Sequence, residues 1–431
     1  DADDFASNMF MIMLLILTGF SLLAMIFMPQ LVQLIAPGFN KDPVRFESAV
    51  TFSRITFPYL LLMSLTALLG GVMNALNRFA PFAIAPVLFN VCLIGALLLS
   101  DIFENAGAAL SYGVLFAGFA QLLWLILVAR KSSFYLKLKL PRFNGDVKRV
   151  FKLMGPGVIG AGVMHINLFS DMIIASFLDS GSISYLYYAD RLNQLPLGVV
   201  GIAVGTALLP LLSKAMARGD TAEGQDLFNR ALEMCLLLAL PAATALFVIP
   251  DLLMHVLFER GAFTADDSAA AAFVLQCYAI GLPPYIAVKV FSTIHWARQN
   301  TKTPVKIAIM ATILNVLLSL ALMKPLGVAG IALATGIVGW LQLIAHVVVL
   351  YKYDTVRFDE RMLRAAIFIV VSCAVMAAIL YAGIALLTML PGAILLTGLI
   401  IVGGVVYFGI IFKSGVIPPA KLLKYFKRKK A

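Results

Sequence analysis

Residues 365–412 read AAIFIVVSCAVMAAILYAGIALLTMLPGAILLTGLIIVGGVVYFGIIF, and none of these 48 positions carries a charged side chain. A helix of about 20 residues crosses the hydrocarbon core of a bilayer, so the stretch is too long for one crossing and long enough for two. Pro391 and Gly392 lie near its middle and favour a tight turn. The stretch therefore predicts two membrane-spanning helices, at about 365–387 and 390–413.

The composition of the whole chain resembles that of this stretch. Of 431 residues, 61% are apolar and 13% are charged, with a mean hydropathy of +0.96. Soluble domains are nearer one half apolar and one quarter charged. These values exclude a water-soluble enzyme, a disordered protein and a nucleic-acid-binding domain. The sequence has no P-loop, metalloprotease, serine-hydrolase or paired-carboxylate pattern, so we expect no enzyme, no cofactor and no metal.

Stretches with little charge recur along the chain and predict an all-α polytopic membrane protein with twelve spans. Two spans hold charged side chains that matter below, namely Asp171 in one and Asp190 with Arg191 in the other. The predicted spans are 5–40, 55–77, 79–100, 105–129, 150–178, 183–213, 231–250, 268–297, 307–323, 325–350 and the two helices of 365–412.

The distribution of basic residues predicts the orientation. With an even number of spans, both chain ends lie on one side, which carries 26 of the 33 Lys and Arg residues and is called the basic side below. The opposite side carries five, and only Arg191 and Lys289 lie within spans. Basic residues concentrate in cytoplasmic loops, so we expect the basic side, including the C-terminus, to be cytoplasmic. Most of the net charge of +11 then reflects topology.

An internal repeat relates two regions that lie 221–226 residues apart. Four short patterns recur in the same order, from a Pro before a Leu-rich run to an Asn within a later span. The matched pairs are Pro29 with Pro250, Phe57-Pro58-Tyr59 with Pro283-Pro284-Tyr285, Asn77-Arg78 with Gln299-Asn300, and Asn90 with Asn315. The offset covers six spans, so both copies have the same orientation, and parallel repeats of this kind form two lobes with a site between them.

The repeat also predicts how the chain is divided. Because the second copy starts two spans before its matching segment, we expect two more helices ahead of residue 1. The whole fold would then have fourteen spans, in two pseudo-symmetric six-helix lobes plus a C-terminal pair. The predicted parts are an N-lobe (1–130), a basic linker (131–149), a C-lobe (150–351), a C-terminal helix pair (362–413) and a basic tail (414–431).

The stretch 187–192 (YYADRL) places two ionisable residues within a span. Such residues are costly at membrane depth and usually face a polar cavity or a partner. Successive helical residues point about 100° apart, so Asp190 and Arg191 cannot face the same partner. The planar guanidinium of Arg191 suits an anionic substrate group such as phosphate, and we predict substrate contacts from Asp190, Arg191, Gln194 and Lys289. The alternatives are a structural ion pair near a helix end and, for Lys289, a side chain that reaches toward an interface.

The span 150–178 offers a second polar group and a weak point. Asn167 and Asp171 share a helix face, and with His165 they are candidates for binding a coupling cation or relaying protons. The alternative is hydrogen bonding between helices. The run Gly155-Pro156-Gly157 predicts a hinge, the alternative being close packing. His346, near the end of its span, is interpreted as interfacial, and Asn315 as a helix-packing or capping group.

Several of these motifs together resemble the MurJ (MviN) family, the bacterial lipid II flippases of the multidrug/oligosaccharidyl-lipid/polysaccharide exporter superfamily. The likeness covers nearly the whole chain. The motifs are 36–39 (APGF), 56–59 (TFPY), 77–79 (NRF), 154–156 (MGP), 187–192 (YYADRL) and 302–306 (KTPVK). The family has fourteen helices in two six-helix lobes plus two C-terminal helices, which agrees with the number that the repeat predicts.

The resemblance implies a function in peptidoglycan and cell-wall biogenesis and in cell shape. The expected activity is flipping of undecaprenyl-diphosphate-linked disaccharide pentapeptide (lipid II) from the inner to the outer leaflet by alternating access. By resemblance, Arg191 contacts the lipid diphosphate, and the last two helices form a groove for the polyprenyl tail. Some members have an acidic residue one turn after this arginine, where this chain has Gln194.

Further expectations complete this hypothesis. They are a multi-pass protein of the bacterial inner membrane, a monomer surrounded by membrane lipids, and coupling to a monovalent cation or a proton. One alternative is a cation-coupled multidrug exporter, or another polysaccharide-lipid flippase of the same superfamily. A different class of alternative is a non-transporting scaffold of the cell-wall machinery.

Overall fold

The computed structural model describes residues 2–132, 134–137, 139–203, 208–218, 220–352, 357–387 and 389–416. Within these ranges every regular element is an α-helix or a short 3-10 turn, and no strand occurs. The all-α fold class predicted from composition is thus confirmed. Most of the predicted basic tail, from residue 417 onward, lies outside the described residues.

The chain divides into two compact units at Ile166/Asn167, inside a single long helix. Unit 1 contains six helices and the first part of the seventh. The helices are α1 (Ala2–Ile26), α2 (Met28–Ile35), α3 (Pro43–Thr56), α4 (Tyr59–Ala75), α5 (Ala80–Leu98), α6 (Ala106–Lys131) and α7 (Gly145–Ser176). The core of unit 1 consists of buried apolar residues of α1, α4 and α6, among them Phe10, Leu69 and Leu125.

Unit 2 contains the rest of α7 and nine further helices. These are α8 (Ser182–Ala203), α9 (Leu209–Ala217), α10 (Thr221–Val248), α11 (Pro250–Phe258), α12 (Ala265–Ala297), α13 (Lys302–Leu326), α14 (Val328–Lys352), α15 (Glu360–Leu386) and α16 (Gly392–Lys413). Helix α12 packs against α8, α10 and α14 and is the most buried helix of the unit. The boundaries predicted for lobes and linker stay predictions.

Ten helical segments of the described residues are long and apolar enough to cross a membrane. This agrees with a multi-pass membrane protein but does not confirm the predicted number of twelve spans. The two predicted spans that are not among the ten are α7 and α8, which carry Asp171, Asp190 and Arg191. Asp190, Arg191 and Gln194 lower the hydropathy of α8. Part of α7 lies outside the residues whose side chains the structure describes.

Polar side chains define where many of the helices begin. Asn105 accepts a hydrogen bond from Ala108 N, and Asp359 accepts one from Met362 N, so each caps the free N–H groups of a first turn. Thr264 and Asp267 form a reciprocal capping box at the start of α12. The basic or polar loops therefore set the ends of the apolar helices.

The internal repeat is visible as a repeated order of elements. A short helix that begins near a proline, α2 or α11, precedes a 33-residue helical segment, 43–75 or 265–297, at an offset of 222. Each segment ends at a left-handed residue with a φ of 58°, Asn77 in unit 1 and Gln299 in unit 2. The next residue closes the same turn in both copies, through Arg78 N to Met73 O (2.9 Å) and Asn300 N to His295 O (2.8 Å).

One detail of the sequence match was wrong. The Phe-Pro-Tyr and Pro-Pro-Tyr motifs were paired at an offset of 226, which is four residues, or about one helical turn, from the offset that the helix bounds give. The motifs also act differently. Phe57 and Pro58 separate α3 from α4, whereas Pro283 and Pro284 lie inside the continuous helix α12.

The C-terminal helix pair agrees with the prediction from residues 365–412. Helix α15 ends at Leu386 and α16 begins at Gly392, so the turn includes Pro391. Helix α15 packs on α10 and on α16. The buried Tyr407 hydroxyl donates a hydrogen bond to Leu237 O (2.8 Å), which ties α16 to α10 as well. The pair is thus attached to the rest of unit 2.

Candidate functional site

Helix α8 turns some residues of the YYADRL motif toward the core of unit 2 and others outward. Ala189 is fully buried and Leu192 is 9% exposed, and both belong to the core of unit 2. Tyr188 packs against Phe258 and Phe263, with ring centroids 4.9 and 5.2 Å away. These contacts fix the rotation of the helix about its axis and leave Arg191 on its outer face.

Arg191 is exposed, and its guanidinium carbon lies 4.6 Å from the centroid of the Tyr187 ring. The two residues are four apart on one helix face, where a cation over an aromatic ring is a favourable contact. Within the described ranges no carboxylate forms an ion pair with Arg191. The stacking contact orients the guanidinium, and the side chain stays exposed.

Asp190 has a different partner. Gln194 Nε2 donates a hydrogen bond of 2.5 Å to Asp190 Oδ2 from one turn further along α8. Asp190 is half-buried and Gln194 is exposed. As predicted from helix geometry, Asp190 and Arg191 face different groups. An acidic side chain at position 194 would repel Asp190, whereas the amide present here donates to it.

Asp171 and Asn167 lie on α7 as a half-buried polar pair. The buried Oδ1 atoms of both residues have no hydrogen-bond partner among the described residues. The carboxylate of Asp171 acts electrostatically on Asp190 of α8 and on Tyr285 of α12. The two predicted groups, one for substrate and one for coupling, are therefore electrostatic neighbours within unit 2.

A second polar group agrees with the interpretation of Asn315 as a helix-packing residue and also contains unpaired oxygens that were not predicted. Asn315 Nδ2 donates to Thr335 Oγ1 (3.1 Å), and the Tyr285 hydroxyl donates to Thr335 O (3.3 Å). Asn315 Oδ1 and Ser319 Oγ are buried without a partner among the described residues. Buried polar atoms are usually hydrogen-bonded, so the several unpaired oxygens here mark an unusual site.

The spacing of Asn315 and Ser319 in the sequence could have indicated this group. Asn315 and Ser319 are four residues apart on α13, the same spacing as Asn167 and Asp171 on α7. A polar pair at this spacing forms one patch on a helix face. What the sequence does not reveal is that Tyr285 of α12 donates to Thr335 O of α14 and is acted on electrostatically by Asp171 of α7.

Three further predictions concern Lys289, His165 and the run 155–157. Lys289 is exposed on α12, although most of its neighbours on that helix are buried. His165 is exposed on α7. The helix continues through residues 155–157, and the side-chain surroundings of Pro156 and Gly157 lie outside the described residues. The roles assigned to these residues, including the hinge, stay predictions.

The interpretation of His346 as an interfacial residue was wrong. Its side chain is fully buried, with a ring centroid 5.3 Å from that of the buried His295. Helix α14 packs along α12, and this packing encloses both rings. Position near a helix end did not reveal this burial.

A family model described as lipid II flippase MurJ matches residues 1–400. The chain belongs to the lipid II flippase family. It is 37% identical to a probable lipid II flippase MurJ of Rhizobium meliloti over 437 residues, covering 98% of this chain and 82% of that relative. It is 36% identical to the corresponding protein of Rhizobium tropici, covering 100% and 83%. The match to a lipid II flippase of Rickettsia prowazekii is 37%, covering 82% and 69%.

Solved structures place the fold in the same family. A lipid II flippase MurJ in an inward closed conformation matches with a TM-score of 0.77 and 26% identity, covering 95% of this chain and 83% of that chain. An inward-facing MATE multidrug transporter of the MOP superfamily matches with a TM-score of 0.67 and 13% identity, covering 82% and 81%. The second likeness shows a shared fold. The predicted membership of the lipid II flippase family, a family of transporters, is thus confirmed.

Proposed function

We propose that this protein flips lipid II from the inner to the outer leaflet of the bacterial inner membrane, with Arg191 binding the lipid diphosphate. Family membership supports the activity. The observation that carries the role of Arg191 is its position within α8, exposed, stacked on Tyr187 and without an ion pair to a described carboxylate. An arginine fork held in this way binds two phosphate oxygens at once.

Three further residues complete the proposed substrate contacts. Lys289 supplies a second cation for the diphosphate, since its ammonium is a compact charge on a flexible stem. The hydrogen bond between Gln194 and Asp190 keeps the Asp190 carboxylate turned away from an approaching anion. Uptake of a lipid with two negative charges is then favoured by the two cations and is not opposed by Asp190.

The transport cycle is proposed to be alternating access with coupling to a monovalent cation or a proton. The buried, unpaired oxygens of Asp171 and Asn167 on α7 support an ion site, because carboxylate and amide oxygens suit a hard cation. We propose that the unpaired oxygens of Asn315 and Ser319 on α13 contribute to the same site. His165 is retained as a proton carrier, and the run 155–157 as the hinge. The excess of basic residues supports a cytoplasmic C-terminus, and we propose a monomer as the transporting unit.

Replacement of Arg191 tests the substrate role. In bacteria depleted of their own flippase, Arg191→Ala is expected to slow the appearance of lipid II in the outer leaflet about 10- to 100-fold. This corresponds to the loss of a charged hydrogen-bonding contact of about 1.5–3 kcal/mol. The measurement is the fraction of lipid II that an externally added enzyme can modify.

Two variants serve as controls for this experiment. Arg191→Lys keeps the charge but loses the fork, so it is expected to give an intermediate rate. Arg218→Ala changes an exposed arginine of the same unit, paired with Glu223 at 3.6 Å, and is expected to leave the rate unchanged. If Arg191→Ala transports lipid II at the normal rate, the diphosphate binds elsewhere. If the variant instead loses drug efflux, the multidrug exporter is favoured.

Replacement of Asn315 distinguishes the two kinds of coupling ion. A metal cation needs several oxygens, so Asn315→Leu is expected to abolish a dependence on a Na⁺ or K⁺ gradient. A proton needs only a carboxylate, so coupling to a proton gradient would survive Asn315→Leu and be lost in Asp171→Asn. The measurement is lipid II flipping in proteoliposomes under each imposed gradient, and equal flipping by all three proteins would exclude an ion site at Asp171.

A further inference from the structure

The described residues 134–137 and 139–144, called the strap below, lie between α6 and α7 and are held on unit 1. At its start, Phe134 is 3% exposed and lies in the core formed by α1, α4 and α6. Just after its end, Val147 is fully buried against Met9 and Ile12 of α1. The strap is therefore anchored by an apolar side chain near each end.

Polar side chains of α1 fix the backbone of the strap between these anchors. Asn8 Nδ2 donates to Arg142 O (2.8 Å), and Arg142 N donates to Asn8 Oδ1 (2.8 Å). Lys137 N donates to Ser7 Oγ (3.1 Å). A loop lacks the regular hydrogen bonds of a helix or sheet, so its backbone N–H and C=O groups need side-chain partners of this kind. The two-way bond from Asn8 fixes both the position and the orientation of the strap at Arg142.

The outer face of the strap combines apolar and basic side chains. Leu140 is 89% exposed, Tyr135 62% and Phe143 61%, and Phe143 stacks on Phe151 of α7 with centroids 6.1 Å apart. The exposed basic residues beside them are Lys137, Lys139, Arg142, Lys148, Arg149 and Lys152. Between residues 134 and 152 the only described acidic residue is Asp146. Asp4 pairs with Lys137 at 2.9 Å, and this hydrogen bond raises the pKa of Lys137.

We propose that the strap is a docking surface for anionic phospholipid headgroups on the basic side of the membrane. The strap lies where α6 ends and α7 begins, next to the first residues of α1, which is the level of a membrane surface for these spans. Basic residues there attract anionic headgroups, and neighbouring apolar side chains enter the acyl boundary. Leu140 and Phe143 would be shielded from water by this insertion.

The membrane is a better occupant for this surface than a soluble protein partner. The charge is mostly basic: six cationic side chains outnumber Asp146 and Asp4, and Asp4 pairs with Lys137 and Lys139. An excess of cations spread over a surface suits a sheet of phosphates. The exposed apolar side chains are separated by basic ones along the chain. Because the strap is fixed to α1 and leads into α7, lipid binding would hold the start of α7 at the headgroup level.

A fluorescent label on the strap tests the proposal without using transport as the readout. Leu140→Cys is labelled in a Cys92→Ala background, since Cys235, Cys277 and Cys373 are buried. The protein is placed in nanodiscs of phosphatidylcholine, with or without phosphatidylglycerol, containing lipids that carry a quencher near the headgroup. We expect at least twofold stronger quenching with phosphatidylglycerol, reduced by high salt.

Two controls make the result specific. Ile102→Cys labels a side chain that is 75% exposed between Asp101 and Glu104, and its quenching is expected to be independent of lipid charge. Replacing Lys137, Lys139 and Arg142 by Gln is expected to remove the effect of phosphatidylglycerol at Leu140→Cys. Equal quenching in both bilayers would overturn the proposal. No quenching in either bilayer would also overturn it and would assign the surface to a protein partner.

Discussion

Residues 43–78 of unit 1 and 265–300 of unit 2 follow the same backbone plan with different polar side chains. Each has a 33-residue helical segment and a left-handed residue with a φ of 58° at the same offset of 222. At that offset, Lys289 corresponds to Ala67, His295 to Met73 and His346 to Trp124. At these three positions the polar residue is in the second copy.

The comparison of the two copies shows which features their shared backbone arrangement requires. Turn geometry and apolar helix length recur in both copies, so they belong to the fold. Lys289, Asn315 and Ser319 have apolar counterparts at that offset in the first copy, so the second copy is where we expect a local function. The second copy is also more buried. In α12, 78% of the most apolar part is buried, against 28% of the most apolar part of 43–75.

The largest expected effect concerns Lys289. If the second copy supplies a substrate cation, Lys289→Met should lower the rate of lipid II flipping about tenfold, through loss of about 1.5 kcal/mol of charged contact. The matched control is Ala67→Met, because Ala67 occupies the corresponding exposed position in the first copy. Equal effects of the two variants in the same proteoliposome assay would show that the copies are not specialised in this way.

A smaller effect, on stability, is expected where helices approach most closely. A Cβ atom added at Gly281 would lie 2.7 Å from the Cα atom of Gly336, so backbone faces backbone between α12 and α14. At Gly118 in the first copy, the nearest atoms at 2.8 Å belong to the side chains of Leu62 and Tyr59, which can shift. We expect Gly281→Ala to lower the free energy of unfolding by about 1–3 kcal/mol, and Gly118→Ala by less.

Thermal unfolding in detergent, followed by fluorescence, measures both changes. The control is Gly95→Ala on α5, where an added Cβ meets no atom within 4 Å and the change should be neutral or stabilising. A larger loss in Gly118→Ala than in Gly281→Ala would contradict the tighter helix contact inferred for the second copy.

The smallest expected effect is at the two left-handed residues. Both side chains are exposed, so a change to glycine removes backbone strain and little else. Asparagine tolerates positive φ better than glutamine. Gln299→Gly should therefore raise the free energy of unfolding by about 0.5 kcal/mol, and Asn77→Gly by less. The same thermal assay measures this difference, and the reverse order would mean that the Gln299 side chain contributes contacts of its own.

Much of the fold followed from apolar length and turn residues. The charge-free run 365–412 gave two helices because two crossings fit its length, and Pro391 placed the turn. The number of spans was harder to predict from the sequence. Helix α8 carries Asp190, Arg191 and Gln194, and these polar residues weaken the apolar signal on which span counting depends.

The candidate site was predictable where one helix defines it. The i, i+4 relation of Asp190 with Gln194, and of Tyr187 with Arg191, follows from the helical repeat alone. Asn315 was predicted as a helix-packing or capping residue, but its partner Thr335 was not, because their contact joins two helices whose alignment the sequence does not state. The burial of His346 depends in the same way on how α14 packs against α12.

The sequence by itself determined an all-α membrane protein, its internal repeat and its family, because these depend on hydropathy, turn residues and local motifs. Only the tertiary structure decided which polar groups are buried without partners and which surface the strap exposes. Those features depend on contacts between segments far apart in the chain, such as Tyr285 with Thr335 and Asn8 with Arg142. Such contacts are set by how helices rotate and pack, which no local pattern records.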